Sequence, residues 1–230
     1  MLKPKKKITK REIKEDKLVT TYFETRSWID GHRRLFNYLV GIPVVLIAAA
    51  FLWNLNQKDS NLQATAKLAK VLPYYDQGKY EEAMNGVPQE GVIQGLVAIV
   101  NDHGGTETGQ IAKLYLANCY VTKSDYKKAL DLYLDADMSE KTMAGSALSG
   151  AATCYEALGQ HEEAALFFEK AASKNMTGVQ APENLHHAAV NYSFVGKKER
   201  AGELLRKLKK EFPESQYARD VERYLAQYAS

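Results

Sequence analysis

The sequence predicts an all-α protein: one N-terminal helix able to cross a membrane, then a solenoid of about four antiparallel helix pairs closed by a capping helix. Two observations carry this. Phe36 to Leu55 is an apolar run, with no charge anywhere from Leu35 to Gln57. Beyond it, a tyrosine, a turn residue and an alanine recur four times in one register. The predicted organisation is a basic segment over 1–34, an anchor over 35–57 and a repeat domain over 58–230.

In the leader, Met1 to Lys7 carries Lys3, Lys5, Lys6 and Lys7 with too little apolar content to order it. Thr9 and Glu12 fit a Thr-x-x-Glu capping box, and Ile13, Leu18, Val19, Tyr22, Phe23 and Ile29 follow at mostly helical spacing. An amphipathic helix is therefore predicted from Lys10 to about Asp30. Trp28, Arg33 and Arg34 would let it lie on the cytoplasmic membrane surface, the alternatives being a solvated charged helix or a dock for a partner.

Twenty residues of helix rise roughly 30 Å, about the thickness of a bilayer's hydrocarbon core. Phe36 and Tyr38 stand at one end of the run and Phe51 and Trp53 at the other, where amphipathic rings favour the interface. Pro43 is better tolerated in a membrane helix than in a soluble one. A buried helix of a soluble protein rarely runs so far without a polar face. Ala48-Ala49-Ala50 offers a cleavage site, yet a long charged segment precedes the run and apolar residues continue past it, which favours an uncleaved anchor. Before Leu35, eleven Lys and Arg stand against five Asp and Glu; beyond Gln57, twenty stand against twenty-three. This asymmetry predicts a cytoplasmic N-terminus and an outer domain, and the mild acidity of that domain argues against nucleic acid.

Lys58, Asp59 and Ser60 mark the return to water, with Ser60 as a helix N-cap. Tyr74-x3-Gly78-x-Tyr80-x2-Ala83 then aligns with Tyr120-x3-Ser124-x-Tyr126-x2-Ala129. Tyr155-x3-Gly159-x-His161-x2-Ala164 and Tyr192-x3-Gly196-x-Lys198-x2-Ala201 continue the series, the alanines lying 46, 35 and 37 residues apart. This pattern resembles the tetratricopeptide repeat, a pair of antiparallel helices with a period of about 34 residues. Ala117, Ala152 and Ala189 fall at its small first-helix position, and Ala129, Ala164 and Ala201 at the second-helix one. The repeats are placed near 61–90, 108–138, 143–174 and 182–212. In the first, Val71 replaces the small residue and Pro73 interrupts the first helix, so that unit should be irregular. Gly91 to Val100 reads as a short apolar helix, far too short to span a membrane, before the Gly104-Gly105-Thr106 turn. Ser215 should cap a last helix from Gln216 to about Tyr228, within a capping segment over 215–229.

No phosphate-binding glycine loop, Gly-x-Ser-x-Gly elbow or His-Glu-x-x-His motif occurs. His186 and His187 are neighbours about 100° apart on a helix and cannot chelate one ion together. No cofactor, metal, small-molecule substrate or enzymatic activity is therefore expected. Cys119 and Cys154 occupy the same position of successive repeats, about a helix-packing distance apart, and should remain free thiols.

Binding remains, because stacked repeats form an extended concave surface. In the repeat register its candidate residues are Ile111, Leu114, Asn118, Val121 and Thr122 in the second repeat. Ser146, Ser149, Thr153 and Glu156 follow in the third, then Glu183, His186, Val190 and Phe194 in the fourth. Asn118 is placed to hydrogen-bond a peptide backbone. The lysines and arginines with which some members of the repeat family clamp chaperone C-termini are missing here.

Taken with the Lys14-Glu15-Asp16-Lys17-Leu18-Val19 stretch, the Asp102-His103-Gly104-Gly105-Thr106 turn and repeats running through Phe212-Pro213, the architecture resembles the bacterial ancillary SecYEG translocon subunit family. The resemblance implies a single-pass inner-membrane scaffold with a periplasmic domain, held in the lipid bilayer and partnered by the Sec translocon and a membrane-bound periplasmic chaperone. A cell-envelope or division scaffold, or an accessory or assembly subunit of another membrane complex held through its anchor, are the alternatives.

Overall fold

The computed structural model describes residues 10–87 and 93–229. Met1 to Lys7, Thr9 of the expected capping box, and Gly91 and Val92 lie outside them. The elements run α1 Lys10–Gly31, α2 Arg33–Asp76, α3 Tyr80–Asn85, β1 Gly86–Val87, β2 Ile93–Gln94, α4 Leu96–His103 and α5 Glu107–Thr122. They continue with α6 Tyr126–Asp135, α7 Lys141–Ala157, α8 His161–Lys174, α9 Ala181–Phe194, α10 Lys198–Glu211, a 3-10 turn Gln216–Ala218 and α11 Val221–Ala229. The chain divides into two compact units, Met1–Asn56 and Gln57–Ser230.

The first unit holds α1 and the opening turns of α2. Among the described side chains of α1, Val19, Tyr22, Phe23 and Trp28 are exposed. Trp28 stacks on His32, ring centroids 5.2 Å apart, beside an Arg33–Asp30 ion pair of 2.9 Å. The apolar run of α2 is long enough to cross a membrane, and none of that stretch is buried within the protein. Pro43 lies inside the helix and removes one bond from its ladder.

The second unit begins within α2, which continues to Asp76. Ser60 therefore starts no helix: its hydroxyl instead meets His103 Nδ1 at 2.8 Å, tying α2 to the end of α4. The last turns of α2 share an apolar cluster with α3, only six residues long, which leads into the antiparallel β1–β2 ladder. The short apolar helix expected from Gly91 starts later, at Leu96, after Gly95. A side chain at 95 would stand 2.2 Å from the Met84 carbonyl, so the close approach of α3 fixes where α4 begins.

Three regular hairpins follow, α5–α6, α7–α8 and α9–α10, each helix packed on its neighbour in sequence. The recurring turn residue is explained by its backbone. Gly78, Ser124, Gly159 and Gly196 all have positive φ, at 74°, 61°, 75° and 75°. Their N–H groups donate to carbonyls three residues back at 2.9–3.0 Å, and the next N–H donates to the carbonyl of Tyr74, Tyr120, Tyr155 or Tyr192 at 2.9 Å. Four copies of this Schellman closure satisfy the carbonyls left open at each helix end and turn the chain back.

At the following helix start, Ala83, Ala129, Ala164 and Ala201 are fully buried, as are Ala117, Ala152 and Ala189 on the preceding helices. A methyl group is all that fits where backbones approach this closely. Gly150 of α7 is an extreme case: a Cβ there would lie 2.4 Å from Tyr133 Cζ.

Apolar clusters fill the spaces between hairpins. One joins Leu68, Val71, Leu96, Ile99 and Leu116 across α2, α4 and α5; a second centres on Ala129, Tyr133 and Ala151; a third joins Phe168, Leu185, Leu204, Leu205, Leu208 and Val221. Thr106 caps α5 by accepting from Gly109 N, and the nearly buried Lys113 ammonium meets Asp135 Oδ2 at 2.5 Å, at the negative end of α6. The final segment is not the single helix expected from Gln216. Ser215 caps a 3-10 turn, and α11 starts after a break at 219–220. Ala218 and Val221, on either side of that break, are both buried.

Candidate protein-binding groove

The first helix of each hairpin carries the candidate groove positions, and they differ in what is left exposed. Ile111 packs against the cluster of α2, α4 and α5, while Leu114 and Val121 pack against that of Tyr133. The Asn118 amide is engaged at both ends: Nδ2 donates to Tyr75 Oη at 3.2 Å, and Oδ1 accepts from Tyr133 Oη. It joins three helices rather than standing open for a peptide backbone. Thr122 and Thr153 are exposed, each returning its hydroxyl to a carbonyl one turn back, on Asn118 and Ser149, at 3.0 Å.

From α7 onward the groove is laced by polar bonds between helices. Ser149 Oγ donates to Asn184 Oδ1 at 2.8 Å, and Ser146 Oγ reaches Gln180 Oε1 at 3.2 Å. Glu156 Oε1 accepts from Asn191 Nδ2 at 3.0 Å, while Asn191 Oδ1 lies 2.8 Å from His161 Nδ1. Asn184 and Asn191 are buried, so these bonds remove the penalty of an unpaired amide in the core. Sequence reasoning missed both, together with Tyr75 and His161. Their signal was two asparagines seven residues apart, on one face of a helix that is otherwise apolar there.

His186 is covered rather than open. Its ring lies 5.3 Å from those of Tyr217 and Tyr224, and Nδ1 is buried without a hydrogen-bond partner among the described residues. Burial pushes its pKa below the ordinary imidazole value; nearby His187 acts the same way, and Asp220 and Glu183 pull against it. Glu183 and Val190 are half-buried beside it. Phe194, 68% exposed, stacks on His161 at 5.0 Å and presents an apolar face at the end of α9. Of the candidate groove positions, Thr122, Thr153 and Phe194 are thus exposed, and Leu114, Val121 and Val190 are half-buried.

One cluster resembles a catalytic set. His103 Nε2 lies 2.9 Å from Lys67 Nζ and Nδ1 lies 2.8 Å from Ser60 Oγ. An ammonium only donates, so Nε2 accepts and Nδ1 carries the proton and gives it to Ser60 Oγ. The serine is an acceptor in this arrangement, the reverse of what an activated nucleophile needs. Among the described residues no three His, Cys, Asp or Glu side chains converge as metal ligands. Cys119 and Cys154 are free and buried, and burial pushes both thiols up to about 11.

Comparison with known proteins bears on this geometry. Residues 93–229, more than half of the chain, match the family described as coatomer epsilon subunit. Two crystal structures of the nearly identical TPR-like repeats of a putative kinesin light chain of Podosopora anserina, one of them a point variant, superpose with a TM-score of 0.53 at 17% identity. They cover 72% of this chain and 84% and 85% of those chains, and at that identity they speak to the fold alone. No curated protein matches the chain significantly.

The fold is a TPR-like α-solenoid. The resemblance to the bacterial ancillary SecYEG translocon subunit family is overturned by the family match. With it go the Sec translocon and periplasmic chaperone as partners, the envelope and division readings, and the inner-membrane location with a periplasmic domain. The features that carried it have local explanations. The Asp102 to Thr106 turn is a helix junction built on the Ser60–His103 bond and the Thr106 cap, and the repeats follow from packing rules that many families share.

Proposed function

The chain belongs to the coatomer epsilon subunit family, and on that premise we propose that it is a non-catalytic subunit of a coat-type multiprotein assembly, holding a neighbouring protein with its helical hairpins. The family match across residues 93–229 carries this reading, and the TPR-like solenoid fits it, since stacked hairpins offer a long concave surface for a protein partner. The polar bonds from Asn118 to Asn191 rigidify that surface, so a partner meets a preformed shape and loses less freedom on binding. Thr122, Thr153 and Phe194 are the residues proposed to touch it.

The apolar run of α2 is read as a membrane anchor. Val45, Ile47 and Trp53 are each about two-thirds exposed, at 65%, 69% and 67%, an arrangement suited to lipid and not to water. Anchoring confines the repeats to a membrane plane and raises their effective concentration toward other membrane-bound subunits, so weak groove contacts suffice.

Native-size fractionation of the full chain, with crosslinkers placed at Thr122 and Thr153, tests the proposal. The expected result is a heteromeric assembly with one stoichiometric protein crosslinked through both positions. A monomer that crosslinks to nothing would overturn the scaffold, and extraction by alkaline carbonate would overturn the anchor alone.

A further inference from the structure

Away from the groove positions, α7 to α10 enclose an open hollow of about 700 Å³. Its apolar lining includes Leu148 and Leu166, with Tyr192 beside them, and Leu166 is 43% exposed. Its rim is charged in an uneven way. Glu169 is already satisfied, accepting from Tyr192 Oη at 3.2 Å and pairing with Arg200. Arg200 in turn is shared with Glu203. Lys170 and Lys174, both exposed on α8, have no carboxylate partner among the described residues; Lys170 only sits 4.7 Å over the Phe167 ring.

An exposed leucine beside two uncompensated ammonium groups is a mixed site, apolar at its floor and positive at one edge. We propose that this hollow is a second docking surface, which takes an acidic peptide segment of a partner protein, one apolar side chain seated on Leu166 and flanking carboxylates at Lys170 and Lys174. The chain's own leader is unsuited to it, because Lys3, Lys5, Lys6 and Lys7 would face like charge. An anionic lipid surface is the other source of negative charge, and the vesicle arm of the test separates it from a peptide. This inference is independent of which protein the groove holds.

The test uses the full chain in neutral-lipid nanodiscs and a fluorescein-labelled peptide with two leucines among four Asp and Glu. Its controls are the same peptide with serine for leucine or lysine for the acids. Anisotropy should report binding that weakens with salt, at least about tenfold weaker for K170E/K174E and for L166D. A T122R/T153R groove variant should bind the peptide as the wild type does. Unchanged helical circular dichroism and melting in each variant separate lost binding from lost folding. Absence of peptide binding, equal binding of the serine peptide, loss through the groove variant instead, or competition by anionic vesicles alone would each overturn the proposal.

Discussion

Ser124 shows how a repeat position can be filled by the wrong residue for its backbone. Its φ of 61° is glycine territory, which Gly78, Gly159 and Gly196 occupy at the equivalent turns. Ser124→Gly relieves that strain but loosens the unfolded chain, so urea titration should find a net gain of about 0.5 kcal/mol. Gly159→Ala should lose about 1 kcal/mol in the same assay. His186 is the other informative residue. Its folded-state pKa is lowered by burial first and by His187 next, so the unfolded chain takes up its proton at higher pH than the folded one. Stability contributed by the neutral ring is present above the ordinary value of about 6.5 and is lost as pH falls from there through the lowered folded-state value. Melting temperatures followed from about pH 7.5 to about pH 5 should fall more steeply for the wild type than for His186→Gln, and parallel slopes would refute the assignment.

Between elements, the deciding quantity is how near two backbones come. Gly150 lets α7 lie against the Tyr133 ring, and Tyr133 is held by burial and by its bond to Asn118, so the ring cannot swing away freely. Gly150→Ala should destabilise the second unit by about 1–3 kcal/mol, read by urea titration, as overpacking does in a closed core. The hairpin closures and the buried alanines were legible in the sequence because both repeat in register. The polar bonds across the groove were not, because Asn118, Asn184 and Asn191 find their partners on other helices, 15 to 43 residues away. Nor was the continuity of α2 past Ser60, since a serine after a charged pair resembles a cap until tertiary packing brings His103 to it.

For the molecule as a whole, contacts between sequence neighbours dominate the second unit, so its stability should behave as a sum of hairpins and their interfaces. Val221, Tyr217 and Tyr224 cover the third apolar cluster and His186. Removing residues 215–230 should therefore loosen α9 and α10 first and leave α5 and α6 protected. Hydrogen exchange on the full and shortened chains would show this as selective loss of protection, and uniform loss would refute it. Family assignment belongs to this scale too. Repeat signatures pointed to one bacterial group, while the match over residues 93–229 places the chain in the coatomer epsilon subunit family.

By itself, the order of residues determined the helical class, the repeat period, the turn positions and a run apolar enough for a bilayer, because each depends on spacing within one or two helical turns. Tertiary structure decided which of the candidate groove side chains remain exposed, where the capping segment breaks and that α8 borders an apolar hollow beside lysines with no carboxylate partner among the described residues. Those depend on atoms brought together from distant parts of the chain, and local periodicity holds no record of them.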